Sequence, residues 1–463
     1  MVLLFVLMST LPAHASSLEF SVHKLESGVP GHTILIVGGI QGDEPGGFNA
    51  ASLITTQYKI KSGNIWVVPN LNFLSIIKRS RGVYGDLNRK FDELQADDPE
   101  YKTIEKIKSL ILNDQVDLVL NLHDGSGFFR ETYMDKLRNP NRWGQCIIAD
   151  QETIEDTPFG GLADLATQAV NSLNGALLKP DHTYTFMNTR TREGNVEMAK
   201  TLSYFAIRNR KPAFGIEASK SLPTHERAYY HLTAIESFMK QLDIQFERGF
   251  TLSAAGIKHA INDNVKFALN DSRIVLDVKD ARRNIRYIPM RKEGGLEFFP
   301  SNPLMAAIDT GEGYRIYYGN RRVTWLHPEY FDYDTSVDSV GITVDGVSRQ
   351  VQFGDIVPVK NSFNVHPTSK LRVNVIGFTK KGFQNESGVP ITKNNIQKRF
   401  SVDKSGMLYR VEFYNEEKFS GMVLVNFSED ALASGGDVRL DGKEAELVGG
   451  ANDGADPLDA HGV

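Results

Sequence analysis

Polar side chains stand at the ends of apolar runs in the first half of the chain. Gln41 and Glu44 follow one run, His123 ends another, and Glu217 lies inside a third that is otherwise apolar. Carboxylates and imidazole are side chains that bind metal ions and transfer protons. A carboxylate inside an apolar strand is costly unless it has a partner or a task. Because functional groups collect where the strands of an α/β sheet end, the pattern predicts a site at one sheet edge.

Each of these groups also has a simpler interpretation. Glu44 could cap a helix N-terminus, and His123 could be a structural histidine with its hydrogen bonds satisfied. Glu217 could belong to a structural ion pair, and Asn88-Arg89 could be an ordinary loop pair. The order and spacing of the four together favour a functional site.

The elements that would position these groups form an α/β domain, which we expect over residues 16–247. Near-continuous apolar runs suit strands covered on both faces, and they lie at 33–40, 64–68, 116–123 and 212–218. Asp98-Pro99 is typical of a helix start, and the isoleucines and leucine that follow share one helical face. We therefore expect a mixed, mostly parallel sheet with helices on both faces.

The pattern changes to alternating strands after residue 248. Gly319-Asn320 and Asp345-Gly346 are two-residue hairpin signals between apolar segments. We expect a small β-barrel-like domain at 248–336 and an immunoglobulin-like β-sandwich at 337–430.

Composition excludes several classes of protein. The 463 residues carry a formal net charge of −5, which provides no overall basic field for a nucleic acid or an anionic membrane. The single cysteine, Cys146, excludes an intrachain disulfide framework and Cys-rich zinc folds. Beyond the N-terminus no apolar stretch reaches the length of a membrane span, so we expect no integral membrane protein.

The two ends of the chain carry their own signals. Residues 1–15 combine an apolar run with Ala13-His14-Ala15, which predicts a signal peptide and export. Residues 431–463 are rich in acidic residues and glycine, which predicts an acidic disordered tail.

The order of the motifs resembles that of the zinc carboxypeptidases related to carboxypeptidase A. The Gln-x-x-Glu motif and the two β domains narrow the resemblance to the peptidoglycan D,L-carboxypeptidases that determine helical cell shape in epsilonproteobacteria. The resemblance implies a Zn²⁺ ion held by Gln41, Glu44 and His123. Gln41 stands where the wider family has histidine, and its weaker oxygen donor predicts looser metal binding. Asp43 could be the ligand instead.

The resemblance also implies roles for the remaining site residues. Glu217 matches the general base, and Arg81 matches the arginine that stabilises the oxyanion. Asn88 and Arg89 match the pair that holds the C-terminal carboxylate of the substrate, for which a planar guanidinium is suited. Further candidates for the far end of the substrate are Arg130, Glu131, Arg190 and Arg192. We expect structural roles for His182, His225, His231 and His327, and a core position for Trp143, which could alternatively line the pocket.

The function implied by the resemblance is that of a periplasmic zinc enzyme. It would trim the muramyl tripeptide of peptidoglycan to a dipeptide, releasing meso-diaminopimelate from γ-D-glutamate, and so contribute to helical cell shape. Other cell-shape proteins could bind the β domains, and no nucleic acid partner is expected. Two alternatives stay open: a catalytically inactive module that binds peptidoglycan or a partner, and a zinc N-acyl amino acid deacylase.

Overall fold

The structure, a computed structural model, describes residues 18–263, 265–378, 382 and 384–429. The predicted signal peptide at 1–15 and the predicted acidic tail at 431–463 lie outside these residues. Within them, no helix is both long and apolar enough to cross a membrane.

The first half of the chain alternates strands and helices. The helices are α1 (Pro45–Gln57), α2 (Phe73–Lys78), α3 (Tyr101–Ile111), α4 (Leu162–Asn174), α5 (Leu202–Arg208) and α6 (Thr224–Gln241). The strands are β1 (His23–Glu26), β2 (Thr33–Val37), β3 (Tyr58–Ser62), β4 (Asn64–Val68), β5 (Leu118–Gly125), β6 (Phe128–Phe129), β7 (Arg138–Asn139), β8 (Cys146–Ala149), β9 (Thr185–Asn188), β10 (Ala213–Ser219) and β11 (Gln245–Arg248).

Seven of these strands form one mixed sheet in the order β1-β4-β2-β5-β10-β8-β9. Its centre is parallel, because β2 pairs in parallel with β4 and β5, and β10 pairs in parallel with β5. Strands β1 and β8 run antiparallel to their neighbours β4 and β10. Every residue of β2, β5 and β10 is buried, as the near-continuous apolar runs predict. The expected α/β fold is confirmed.

Helix α3 refines the sequence expectation. It begins at Tyr101, two residues after the predicted start at Pro99. Asp98 caps the turn before the helix by accepting the backbone N–H of Glu100 at 2.8 Å, and its carboxylate also binds Lys90. The apolar face is as predicted, since Ile104, Ile107 and Ile111 are fully buried.

The second half is rich in sheet. After α7 (Ala254–Asp263) the strands are β12 (Lys266–Leu269), β13 (Ile274–Asp277), β14 (Asn284–Arg291), β15 (Phe298–Pro300), β16 (Met305–Asp309), β17 (Tyr314–Tyr318), β18 (Arg321–Phe331), β19 (Ser339–Val344), β20 (Val347–Gln352), β21 (Ile356–Pro358), β22 (Ser362–Val365), β23 (Arg372–Val375), β24 (Ile391–Thr392), β25 (Leu408–Asn415) and β26 (Lys418–Asn426). Both predicted hairpins form, β17 with β18 and β19 with β20.

The strands from β12 to β18 form two open sheets, in the orders β13-β12-β15 and β14-β18-β17-β16. No sheet among the described residues closes on itself, so the expected barrel-like shape is replaced by open sheets. From β19 onward two four-stranded sheets, β20-β19-β22-β24 and β21-β26-β25-β23, enclose a separate apolar core. This arrangement agrees with the expected β-sandwich.

The hairpin formed by β17 and β18 packs on the α/β part of the chain. Gly319 at its tip lies against Phe48 of α1, where an added Cβ would come within 3.0 Å of the ring. The next carbonyl, that of Asn320, accepts a 2.6 Å hydrogen bond from Nε of Arg79. Nearby, Asn70 donates to the carbonyl of Pro303 at 3.0 Å. The first β sheets therefore touch the segment that leads to Arg81.

Candidate active site

The central strands bring three of the predicted groups to one sheet edge. His123 lies near the end of β5 and Glu217 near the end of β10, and the two residues are direct partners in the parallel register. Gln41 and Glu44 lie in the loop between β2 and α1. Because β2, β5 and β10 are parallel neighbours, their carboxyl ends open onto the same edge.

The three predicted metal ligands are buried, each no more than 6% exposed. Oε2 of Glu44 lies 3.0 Å from Nδ1 of His123. Two ligands of a tetrahedral zinc ion stand about 3.4 Å apart, so this pair needs only a small widening to hold one. Nε2 of Gln41 donates to Oδ1 of Asp86 at 2.8 Å, which turns the amide oxygen, the atom suited to a metal, away from Asp86.

The donor set fits a zinc ion, with one imidazole nitrogen, one carboxylate oxygen and one amide oxygen. The described residues contain no cluster of three His, Cys, Asp or Glu side chains placed to hold a metal ion. The arrangement is consistent with that absence, because its third member is an amide.

Asp86 joins three of the predicted residues and was missed by the sequence reasoning. Besides Gln41, its Oδ1 accepts the backbone N–H of Asn88 at 3.0 Å, and its Oδ2 accepts Nε of Arg81 at 2.9 Å. Burial raises the pKa of Asp86, but the hydrogen bond from Gln41 and the charge of Arg81 outweigh it and hold the pKa below its usual range. Asp86 could have been found as a capping residue, because aspartate is favoured at the position that precedes a helix and Asp86 caps the short helix Leu87–Arg89.

The predicted carboxylate-binding pair adjoins the predicted ligands. Nδ2 of Asn88 lies 3.4 Å from Nε2 of His123. Oδ1 of Asn88 accepts a hydrogen bond from the backbone N–H of Leu202 at 3.0 Å. Arg89 donates to the carbonyl of Asn88, and its Nε lies 3.6 Å from a carboxylate oxygen of Glu197. Arg89 therefore already faces a carboxylate of its own chain.

Glu217 is buried, and its Oε2 has no hydrogen-bond partner. Burial, followed by the negative charges of Glu44 and Asp124, raises the pKa of Glu217 well above its usual value. Space beside this oxygen depends on a glycine, because a Cβ at Gly125 would come within 2.7 Å of Oε2. A buried carboxylate with a free oxygen and a raised pKa is suited to accept a proton.

Arg81 and Asp43 take different positions around Glu44. The half-exposed guanidinium of Arg81 lies 4.0 Å from Oε1 of Glu44. Asp43 is bound by Lys220, whose Nζ lies 2.6 Å from its Oδ2 and 3.4 Å from Oε1 of Glu44. Sequence reasoning missed Lys220, which stands three residues after Glu217.

The remaining predicted residues divide into structural and exposed groups. Arg130 donates to the backbone carbonyls of residues 129, 181 and 183, which assigns it a structural role. Glu131, Arg190 and Arg192 are exposed. The expectation of a core Trp143 is wrong, because the residue lies in the loop before β8 and is 38% exposed. His182 and His231 are buried against Tyr230 and Asp124, as expected of structural histidines.

Residues 1–262 match the family described as the catalytic part of carboxypeptidases controlling helical cell shape. The chain belongs to this family. Residues 333–428 match the C-terminal domain of metallo-carboxypeptidases. Membership implies a catalytic metal and a carboxypeptidase activity.

Solved structures of family relatives cover most of the chain. The apo form of the cell shape determinant protein Csd4 from Helicobacter pylori is 38% identical, with a TM-score of 0.80, over 89% of this chain and 100% of that one. A tripeptide-bound form of Csd4 matches at 38% identity and a TM-score of 0.79, over 89% of this chain and 100% of that one. A form bound to mDAP, described as a D,L-carboxypeptidase, matches at 39% identity and a TM-score of 0.79, over 88% and 100%. A search of curated proteins found no match.

Proposed function

We propose that this chain is a zinc-dependent D,L-carboxypeptidase that removes meso-diaminopimelate from the γ-D-glutamyl residue of peptidoglycan tripeptide. The product would be the dipeptide, and the trimming would contribute to helical cell shape. The relatives bound to tripeptide and to mDAP support this choice of substrate.

The observation that carries the proposal is the meeting of Glu44, His123 and Glu217 at one sheet edge. A carboxylate and an imidazole lie 3.0 Å apart, and beside them stands a buried carboxylate with an unpartnered oxygen. A protein that only bound peptidoglycan would not need such a base, which favours hydrolysis over a binding module.

The chain's own residues divide the work. Zinc, when held by Gln41, Glu44 and His123, would supply Lewis acidity for the scissile carbonyl and the attacking water. Glu217 takes the proton of that water and passes it to the leaving amine. Arg81, fixed by Asp86, faces the negative charge that develops on the carbonyl oxygen.

The neighbouring pair Asn88 and Arg89, on the short helix Leu87–Arg89, binds the substrate. Arg89 binds the C-terminal carboxylate of diaminopimelate, and Asn88 orients it beside His123. To do so Arg89 exchanges the carboxylate of Glu197, which is 65% exposed, for that of the substrate.

Location and partners extend the proposal. We assign residues 1–15 as a signal peptide that directs the enzyme to the periplasm, the compartment that contains its peptidoglycan substrate. The divisions at 16–247, 248–336 and 337–430 remain our proposed domains, with an acidic tail at 431–463. Other cell-shape proteins are the proposed partners of the β domains.

The test is mass spectrometry of a purified muramyl tripeptide after incubation with the protein, with zinc and with a chelator. We expect zinc-dependent appearance of dipeptide and free diaminopimelate. Glu217→Gln should form product at least about 100-fold more slowly, while Glu105→Gln, which changes an exposed carboxylate on α3, should behave as the natural protein. Absence of product together with absence of bound zinc would instead indicate a binding module.

A further inference from the structure

Lys220 bridges two neighbouring carboxylates at the proposed metal site. Its ammonium nitrogen lies 2.6 Å from Oδ2 of Asp43 and 3.4 Å from Oε1 of Glu44. The lysine is only 31% exposed, and the backbone N–H of the same residue donates to the carbonyl of Gly125 at 2.7 Å. A lysine held at both ends in this way is a fixed charge beside the site.

Glu44 and Asp43 differ in which carboxylate oxygen each leaves available to a metal ion. Oε1 of Glu44 faces Lys220 and, at 4.0 Å, Arg81, so Oε2 is the oxygen that faces His123. Asp43 has one oxygen on Lys220, and its Oδ1 is buried without a hydrogen-bond partner. Asp43 therefore has an oxygen to offer a cation, in a loop where Glu44 already does so.

Carboxylate oxygens bind divalent cations more strongly than an amide oxygen does. With Asp43 two positions from Gln41, an uncompensated aspartate would compete with the amide or add itself as a further ligand. A site with two anionic ligands binds metal more tightly but polarises a substrate carbonyl less, because the ion's charge is neutralised.

We propose that Lys220 is a positioning residue that withholds Asp43 from the metal and limits Glu44 to a single ligating oxygen. The site then keeps Gln41 as its neutral ligand and an open position for substrate. The inference rests on the metal site of the proposed function, but it assigns a role to two side chains that the reaction itself does not require.

The test compares the natural protein with Lys220→Met, Asp43→Asn and the double variant. Zinc affinity is measured by competition with a chromophoric chelator, and coordination by the visible spectrum of the Co²⁺-substituted protein. Lys220→Met should bind zinc about tenfold more tightly, because removal of the ammonium frees a carboxylate ligand. Its cobalt bands should weaken, since absorption falls when a four-coordinate ion gains a ligand. Lys220→Gln serves as a second variant should Lys220→Met not fold.

The double variant Lys220→Met/Asp43→Asn tests whether the tighter zinc binding requires Asp43. Affinity and spectrum should return to those of the natural protein, because the tightening requires Asp43, and Asp43→Asn alone should change neither. Lys220→Arg, which keeps the cation, should also match the natural protein. Tighter binding with an unchanged spectrum would overturn the inference, since charge alone would explain it, and so would a tightening that survives Asp43→Asn. If the natural protein binds neither Zn²⁺ nor Co²⁺, the metal site itself is refuted and the proposed function fails with it.

Discussion

The two halves of the candidate site are built differently. The half formed by Glu44, His123 and Glu217 is buried, and His123 and Glu217 belong to adjacent strands whose register sets their spacing. In the other half, Arg81 lies on a loop and Arg89 ends the short helix Leu87–Arg89, and their side chains are 53% and 29% exposed. Strands fix proton-transferring groups tightly, whereas an exposed loop and a single helical turn leave Arg81 and Arg89 able to adapt to a substrate. Asp86 connects the halves, because it holds Gln41 on one side and Arg81 on the other.

The largest effect should follow from a change in the buried half. Glu217→Gln should lower kcat by about 10²–10⁴-fold with little change in KM, because it removes the proton acceptor and leaves the binding loops intact. Turnover of the muramyl tripeptide at saturating substrate checks this. A variant that also loses zinc would mean that Glu217 has a structural role.

The same substitution has a predictable effect on stability. The pKa of Glu217 is raised in the folded protein, so the contribution of Glu217 to the free energy of unfolding is most favourable below the ordinary pKa of glutamate and is lost as the pH rises toward the folded value. Glu217→Gln removes that loss. Urea unfolding of the chelator-treated protein should therefore show the variant at least as stable at neutral pH, and equal or less stable in acid. A variant that is less stable at neutral pH contradicts this.

The link between the halves comes next. Asp86→Asn should weaken zinc binding by about 10- to 100-fold and lower kcat as well, because an amide cannot accept from both Gln41 and Arg81. The pKa of Asp86 is lowered in the fold, so these contacts persist at neutral pH and are lost only as the pH falls below the ordinary aspartate value. Zinc titration and turnover check both effects. Loss of turnover with unchanged zinc affinity would limit Asp86 to the Arg81 side.

A change at Arg89, the carboxylate-binding residue of the exposed half, should alter substrate binding alone. Arg89→Lys should raise KM about tenfold at nearly constant kcat, because an ammonium cannot replace a bidentate guanidinium and a charged hydrogen bond is lost. Kinetics with the tripeptide measure this, and Lys200→Arg, near Glu197, serves as the matched control. An unchanged KM would remove Arg89 from the carboxylate pocket.

The smallest effect tests whether the first β sheets support the exposed half. Arg79 donates to the carbonyl of Asn320, and the neighbouring Ser80 accepts the backbone N–H of Gly42 beside Gln41. Arg79→Met should lower kcat about fivefold, the value of one hydrogen bond, without unfolding the protein. Lys78→Met is the control on the same turn. Equal kcat values for the two variants would show that the hydrogen bond between Arg79 and Asn320 does not affect the position of Arg81.

Residues of the fold and of the site differ in how far the sequence predicts them. The apolar runs at 33–40 and 116–123 identify buried parallel strands, because continuous apolarity records burial on both faces. The start of α3 and the exposure of Trp143 were misjudged, since each depends on which neighbours the surrounding loops provide. The barrel-like expectation failed for the same reason: alternation predicts strands but not whether a sheet closes.

The sequence by itself determined the order of strands and helices and the presence of Gln41, Glu44, His123 and Glu217 at strand ends, because periodicity and burial are local properties of the chain. Only the tertiary structure decided which groups meet. Asp43 and Lys220 are 177 residues apart in the chain, and Glu197 reaches Arg89 from a separate segment. Such contacts form because segments far apart in the chain meet at the sheet edge, and no local sequence pattern predicts which segments will meet.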